Sequence, residues 1–221
     1  MKYSKYLLFL AFLVSNIAFS KVDKNSENKK KAVEIINHYS KAKFITADIK
    51  KIDEKSVLGT KTVSQGLIKY SSGKFYLLLQ SEKKTEIFFK RRNLILVDYP
   101  DLDFDKEGVR KITHIKDQAP AFLKSLIDLF SNSKNFFDQF KIIDTSLKED
   151  ILTLDLKPKL KGLKDLNLEL NIRDKTIQTI HFIDDIKTAT TIEFSHVDLK
   201  TIIPKATFEF KSQKSDQEAT Q

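Results

Sequence analysis

The side chains able to do chemistry are few and scattered. Four histidines, His38, His114, His181 and His196, are present, and no two stand at the i, i+4 spacing that sets a pair of imidazoles on one helix face for a metal. There is no cysteine, which removes thiolate metal sites, disulfides and a cysteine nucleophile together. Ser195-His196-x-Asp198 has the residue types of a catalytic triad but falls in a run with strand periodicity. Neighbours on a strand point to opposite faces, so the Ser195 hydroxyl is not expected to reach the His196 ring. No Gly-x-Ser-x-Gly elbow occurs. Asp101-x-Asp103-x-Asp105 has the opening rhythm of a calcium loop, yet Lys106 replaces the required glycine and Ile112 the final glutamate. Asp184-Asp185 lies between two strand-like runs and reads as a turn; an acidic hydrolase site there is the one enzymatic alternative. The expectation is therefore no catalytic set, no metal and no cofactor.

Of the elements that would hold these residues, the N-terminus comes first. Lys2 and Lys5 precede an apolar run from Tyr6 to Phe19, and Ala18-Phe19-Ser20 supplies small residues before a break. This is the pattern of a secretory signal peptide over residues 1–20, cleaved before Lys21 and implying export to a periplasm. The run is short of the ~20 residues a spanning helix needs, which disfavours the alternative of a membrane anchor. No cysteine follows it, so no acylation of the chain itself is expected there. No later stretch reaches membrane-span length, so the remainder is expected to be soluble and to form one domain, residues 21–210.

The chain carries a formal charge of +9, of which Lys2 and Lys5 belong to the leader. Only four of its 39 basic residues are arginine, and the lysines are dispersed. Base-edge recognition favours the fixed fork of arginine, so no nucleic-acid partner is expected. An anionic membrane surface, an acidic protein patch or simple solvation of the surface accounts for the lysines.

A helix-like segment follows, with Ser26 as candidate cap and Val33, Ile35, Ile36 and Tyr39 on one side. From Phe44 the period changes to two, with Ile45, Ala47 and Ile49 alternating with polar neighbours. Runs at 63–70, 74–81, 85–90 and 93–97 read as consecutive antiparallel strands. In mid-chain, Phe122, Leu123, Leu126, Ile127 and Phe130 recur at helical spacing behind Pro120, with Asp117 as candidate cap, and a second short helix is expected over 135–139. Strands resume at 140–146, 151–157, 166–173, 176–183 and 188–197, and Phe208 and Phe210 alternate once more. The polar segment 211–221 reads as a disordered tail. The fold class expected is α+β: an incomplete antiparallel β-barrel, a strongly curved sheet of roughly 10–11 strands, with helices over its concave apolar face. Seventeen Phe and six Tyr without a Trp fit either an ordinary core or the wall of a cavity.

Several phrases, in order, resemble the LolA family of lipoprotein carriers. They are Phe44-Ile45-Thr46-Ala47 after the first helix, Gly66-Leu67-Ile68-Lys69, Gly73-Lys74-Phe75-Tyr76 and Asp98-Tyr99-Pro100-Asp101-Leu102. Ala119-Pro120-Ala121-Phe122-Leu123, Leu154-x-Leu156-x-Pro158-Lys159, Thr191-Ile192-Glu193-Phe194 and Phe208-Glu209-Phe210 continue the likeness from about residue 30 to 210. The resemblance implies a carrier, likewise periplasmic, that shelters the acyl chains of lipoproteins between an inner-membrane ABC transporter and an outer-membrane acceptor. It implies a monomer with a helical lid over an apolar cavity. In the family a basic residue before a Pro latches the lid; those positions here are Ser71-Ser72, or Tyr70-Ser71 with the gap moved. A Tyr70 or Ser71 hydroxyl together with packing is therefore the expected latch. By strand and helix spacing, Phe75, Leu77 and Leu79, then Phe89, then Phe122, Leu126 and Phe130 are expected to line the cavity. A related half-barrel that senses or carries another amphiphile, such as a glycolipid, is the alternative.

Overall fold

A computed structural model describes residues 24–56, 58–101, 104, 108–116, 120–159 and 161–220. The expected signal peptide, Asp117, and Asp103, Asp105 and Lys106 of the acidic turn lie outside the described residues. Helix α1 (Lys24–Lys41) is followed by strands β1 (Phe44–Lys55), β2 (Thr60–Ser71), β3 (Lys74–Gln80), β4 (Lys84–Lys90), β5 (Asn93–Asp98) and β6 (Lys111–Lys116). Helices α2 (Ala121–Ser131) and α3 (Ser133–Gln139) interrupt the strands. Strands β7 (Phe140–Lys148), β8 (Ile151–Pro158), β9 (Leu163–Asn171), β10 (Thr176–Asp184) and β11 (Thr188–Asp198) resume the sheet, and β12 (Gln217–Thr220) ends it.

The twelve strands form one open sheet in the order β12-β6-β5-β4-β3-β2-β1-β11-β10-β9-β8-β7. Two meanders, β1 to β6 and β7 to β11, are joined by the antiparallel pairing of β1 with β11. Every pairing is antiparallel except β12 on β6. A sheet this wide curls, and β7 and β12 are left as its two edges.

Alternation is what turns one face into a wall. Ile45, Ala47 and Ile49 on β1, Leu152, Leu154 and Leu156 on β8, and Leu166, Leu168 and Leu170 on β9 are all buried. On α1 the buried stripe is Ala32, Ile35, Ile36 and Tyr39, the i, i+3, i+4, i+7 set of one helix face. Val33, expected among them, is exposed, because 3.6 residues per turn carries it off that face. Helix α1 starts at Lys24, so Ser26 lies in its first turn instead of capping it. These helix and strand faces meet in one apolar cluster on the concave side. Each large side chain buried there contributes about 1.5–3 kcal/mol.

One glycine is dictated by close approach. A Cβ on Gly66 of β2 would lie 1.9 Å from the Leu78 carbonyl oxygen of β3, so the two strands are in contact where any side chain would part them.

Two expectations are corrected at the C-terminus. The Phe208–Phe210 phrase is not a strand: Lys205–Phe208 is a single 3-10 turn that crosses the outer face of the sheet. There Phe210 packs on Phe88 at 5.9 Å, and Phe208 is buried, as are Ile203 and the cross-strand pair Val97 and Ile112. The segment read as a disordered tail carries β12. Arg110 donates from Nε and Nη2 to the two Asp216 oxygens at 2.8 and 2.7 Å, and Gln217 N–H donates to the Arg110 carbonyl. A long-range ion pair and a backbone ladder order a segment whose own composition cannot.

Candidate functional site

Helices α2 and α3 lie across the concave wall. Pro120 precedes the first residue of α2, where its missing N–H costs nothing, and the Asn132 side chain accepts from Asn135 N–H to cap α3. α2 turns Leu123, Leu126, Leu129 and Phe130 inward, all buried. Phe130 is the packing centre of the lid. Its ring lies 6.1 Å from Tyr39, 6.1 Å from Tyr70 and 6.4 Å from Phe194, joining α1, β2 and β11. At the other end of α2, Phe122 stacks on Phe182 of β10 at 5.6 Å with an interplanar angle of 8°.

Between α2 and β9–β10 lies a void of about 10 Å³ lined by Leu126, Leu129, Phe136, Leu168, Ile180 and Phe182, among others. Its one polar lining side chain, Ser125, donates to the Ala121 carbonyl at 2.8 Å, so nothing polar is left to hold water. Small-molecule pockets run to roughly 300–1,000 Å³. The interior under α2 is therefore filled by side chains of the helix and the wall.

Of the expected lining residues, Phe122 and Leu126 border this void. Phe75, Leu77, Leu79 and Phe89 sit elsewhere on the same concave wall. Phe75 and Phe89 are direct cross-strand partners in a row that also contains Tyr70 and Leu94. Phe75 and Leu77 are completely buried, and Leu79 and Phe89 are half-buried against the cluster. The wall residues of β9 and β10 were missed, although Leu166-x-Leu168 and Ile180-x-Phe182 carry the alternation that marks them. Periodicity says which side of a strand is buried but not which strand the lid covers.

The polar tie between lid and wall is at the far end of α2. The Tyr70 hydroxyl accepts from Gly73 N–H at 3.1 Å and is hydrogen-bonded to the Ser131 side chain. Burial pushes the Tyr70 phenol above its ordinary pKa, against these two hydrogen bonds. Ser71 is half-buried next to it. Tyr39, under α2, is pushed up to about 12 by burial, and its hydroxyl accepts from Ile177 N–H at 2.9 Å. α3 is tied to α1 by Ser133 and Asn37 and to α2 by Gln139 Nε2 donating to Asp128 at 2.7 Å.

The triad-like phrase is arranged differently from the expectation. The β1–β11 register shifts between Thr46 and Asp48, and His196 takes φ +49° in the bulge. Ser195 and His196 both line a groove of about 810 Å³ whose floor includes Leu67 and Leu78. Strict strand alternation fails at a bulge, so the opposite-face argument does not hold there. His196 instead pairs through Nδ1 with Asp48 at 3.0 Å, and Asp198 accepts from Lys200 and Thr201 N–H groups. Asp184 accepts from Ile186 and Thr188 N–H, and Asp185 from Gly162 N–H, so both carboxylates build turns. Among the described residues no group of three or more His, Asp or Glu could hold a metal, and no helix is long and apolar enough to cross a membrane.

Fold and site together define a half-barrel with a closed apolar interior under a helical lid. The model of the outer membrane lipoprotein carrier protein LolA family matches residues 60–211, and the chain belongs to that family. No curated protein matches it. Among solved structures, an uncharacterized conserved protein from Thermus thermophilus aligns with TM-score 0.52 and 8% identity, over 87% of this chain and 99% of that one. A LolA superfamily protein from Nitrosomonas europaea aligns with TM-score 0.42 and 10% identity over 84% and 97%. A DUF1329 family protein from Desulfovibrio piger gives 0.45 and 10% over 83% and 96%.

Proposed function

We propose that the protein is a periplasmic carrier that takes up lipoprotein acyl chains under α2 and delivers them to the outer membrane. In this reading an inner-membrane ABC transporter supplies the cargo. The observation that carries it is the dry void between α2 and β9–β10, bounded by aliphatic and aromatic side chains on both sides and closed by a short helix. An acyl chain cannot cross water unprotected: at about 0.8 kcal/mol per CH₂, exposing one long chain costs roughly 10 kcal/mol. Lifting α2 exposes Leu123, Leu126, Leu129 and Phe130 to water, and the cargo covers the same surface in their place. Opening and loading are thus coupled, and each offsets the other's cost. The lid is short and mostly apolar in its attachment, which keeps the closed state from trapping the protein empty.

The test is to purify the tagged protein from envelope extracts and identify what it holds by mass spectrometry. A photo-reactive residue at position 126 should cross-link to the acyl portion of a lipoprotein. Recovery of free glycolipid would replace the carrier reading with that of another amphiphile carrier. Recovery of no amphiphile from cells making lipoproteins would end both.

A further inference from the structure

One end of the half-barrel carries apolar residues at the tips of its turns. The β1–β2 turn presents Leu58, 68% exposed, and the β10–β11 turn presents Ile186, 76% exposed. The two turns are bonded to each other, Ser56 Oγ donating to the Lys187 carbonyl at 3.1 Å. The β8–β9 turn joins them through Gly162 N–H donating to Asp185 at 2.9 Å. Asp184 takes the N–H groups of Ile186 and Thr188, at 3.0 and 2.8 Å, so Ile186 is held outward by a built turn and not by chance of a loop.

The charges around these tips are sorted. Lys55, Lys161 and Lys187 are exposed and form no ion pair among the described residues, while the carboxylates of Asp184 and Asp185 are bonded to backbone N–H groups. Glu54 is matched by Lys61 at 2.7 Å. The result is two aliphatic tips on adjoining turns, flanked by three ammonium groups, with the two carboxylates of the β10–β11 turn directed at backbone N–H groups. A protein partner would call for a contiguous apolar patch with complementary shape. Separate aliphatic tips with cationic neighbours instead match an interface that is apolar within and anionic at its surface.

The same end holds the near edge of the lid. A Cβ on Gly162 would lie 3.3 Å from Ala121 Cβ at the start of α2, and the half-buried Phe122 beside it borders the closed void. We infer that this end docks on an anionic lipid bilayer, with Leu58 and Ile186 entering the acyl region and Lys55, Lys161 and Lys187 facing phosphate headgroups. Docking sets the start of α2 against the lipid surface, so that an acyl chain passes between bilayer and cavity without crossing water. The inference rests on the carrier reading for its purpose but not for its test.

Vesicles of phosphatidylethanolamine with phosphatidylglycerol, free of any protein, are sedimented with the purified protein, alongside phosphatidylcholine vesicles. The protein should bind the anionic vesicles, more weakly as salt is raised, and bind phosphatidylcholine tenfold less. Leu58→Ser with Ile186→Ser should lose tenfold or more, whereas Val33→Ser with Ile202→Ser, on exposed residues elsewhere, should bind as the parent does. Lys187→Glu should weaken binding to anionic vesicles alone. The four apolar positions are exposed, and unchanged thermal unfolding confirms that the fold is intact. Equal binding by the Leu58/Ile186 variant, or binding that requires a membrane protein in the vesicle, overturns the inference. Cargo recovered from envelopes reads the carrier function separately: a protein that holds acyl cargo but ignores vesicles fails only the docking surface, and one that docks but never holds cargo fails only the carrier reading.

Discussion

Tyr70→Phe isolates the hydroxyl that ties α2 to the sheet. The ring remains, so its contact with Phe130 at 6.1 Å is kept. Lost are the bond from Gly73 N–H and the bond to Ser131. Each such bond is worth a net ~0.5–1.5 kcal/mol. Gly73 sits in an exposed turn where water replaces the phenol, so most of its share is recovered. Ser131, at the end of the lid, also gains water, but only once α2 lifts. The expected result is about 1 kcal/mol off the free energy of lid opening, close to a fivefold rise in the open population. Native-state hydrogen exchange reads this directly: the amides of Leu126 and Leu129 should exchange about fivefold faster, while those of Leu154 and Leu168 in the central sheet should not. Ser131→Ala should give a similar change, and the double variant little more, because both remove one interaction. Uniform acceleration in lid and sheet would show that the hydroxyl supports the whole domain. Strictly additive effects of the two substitutions would show that Tyr70 and Ser131 are not coupled, leaving the lid to packing alone.

Two further outcomes follow from single observations. Gly66→Ala places a methyl 1.9 Å from the Leu78 carbonyl oxygen and must part β2 from β3; a loss of about 3 kcal/mol or failure to fold is expected, read as the denaturant midpoint, and a variant of parental stability would contradict the geometry. Tyr39 is held neutral by burial with its pKa raised from 10.0 to about 12. Its share of stability is whole below pH 10, where the phenol is protonated folded or unfolded, and is lost as pH rises toward 12. That share is ~3 kcal/mol. The alkaline limb of the stability profile should therefore be shallower in Tyr39→Phe, and identical profiles would count against the buried phenol.

Much of the wall was legible in local pattern. Ile45-x-Ala47-x-Ile49 and Leu152-x-Leu154-x-Leu156 alternate strictly because one face of each strand meets the core, and α2 declares its inner face at helical spacing behind Pro120. β6 was not legible: Lys-Ile-Thr-His-Ile-Lys has two apolar residues, and it is held in the sheet by pairing with β5 on one side and β12 on the other. The bulge at His196 was equally silent, since a register shift belongs to the pairing of two strands and not to either sequence. Of the residues expected to line a cavity, Phe122 and Leu126 border the void, which lies against β9–β10, and those of β3–β4 stand elsewhere on the same concave wall.

The amino-acid sequence by itself determined the kind of protein: α+β, free of cysteine chemistry, with period-two strands around a helical interruption in mid-chain. These follow from local steric preference and from which face of each segment is apolar, which are properties of a few neighbouring residues. Only the tertiary structure decided that β1 closes on β11, that the last residues return as β12 on β6, and that the lid lies over β9–β10. It also decided that Leu58 and Ile186 share one end. Three of these arrangements pair residues more than a hundred positions apart, and the lid reaches β10 across sixty, from Phe122 to Phe182. Such pairing is set by the register, twist and curl of the whole sheet, and no short stretch of chain carries that information.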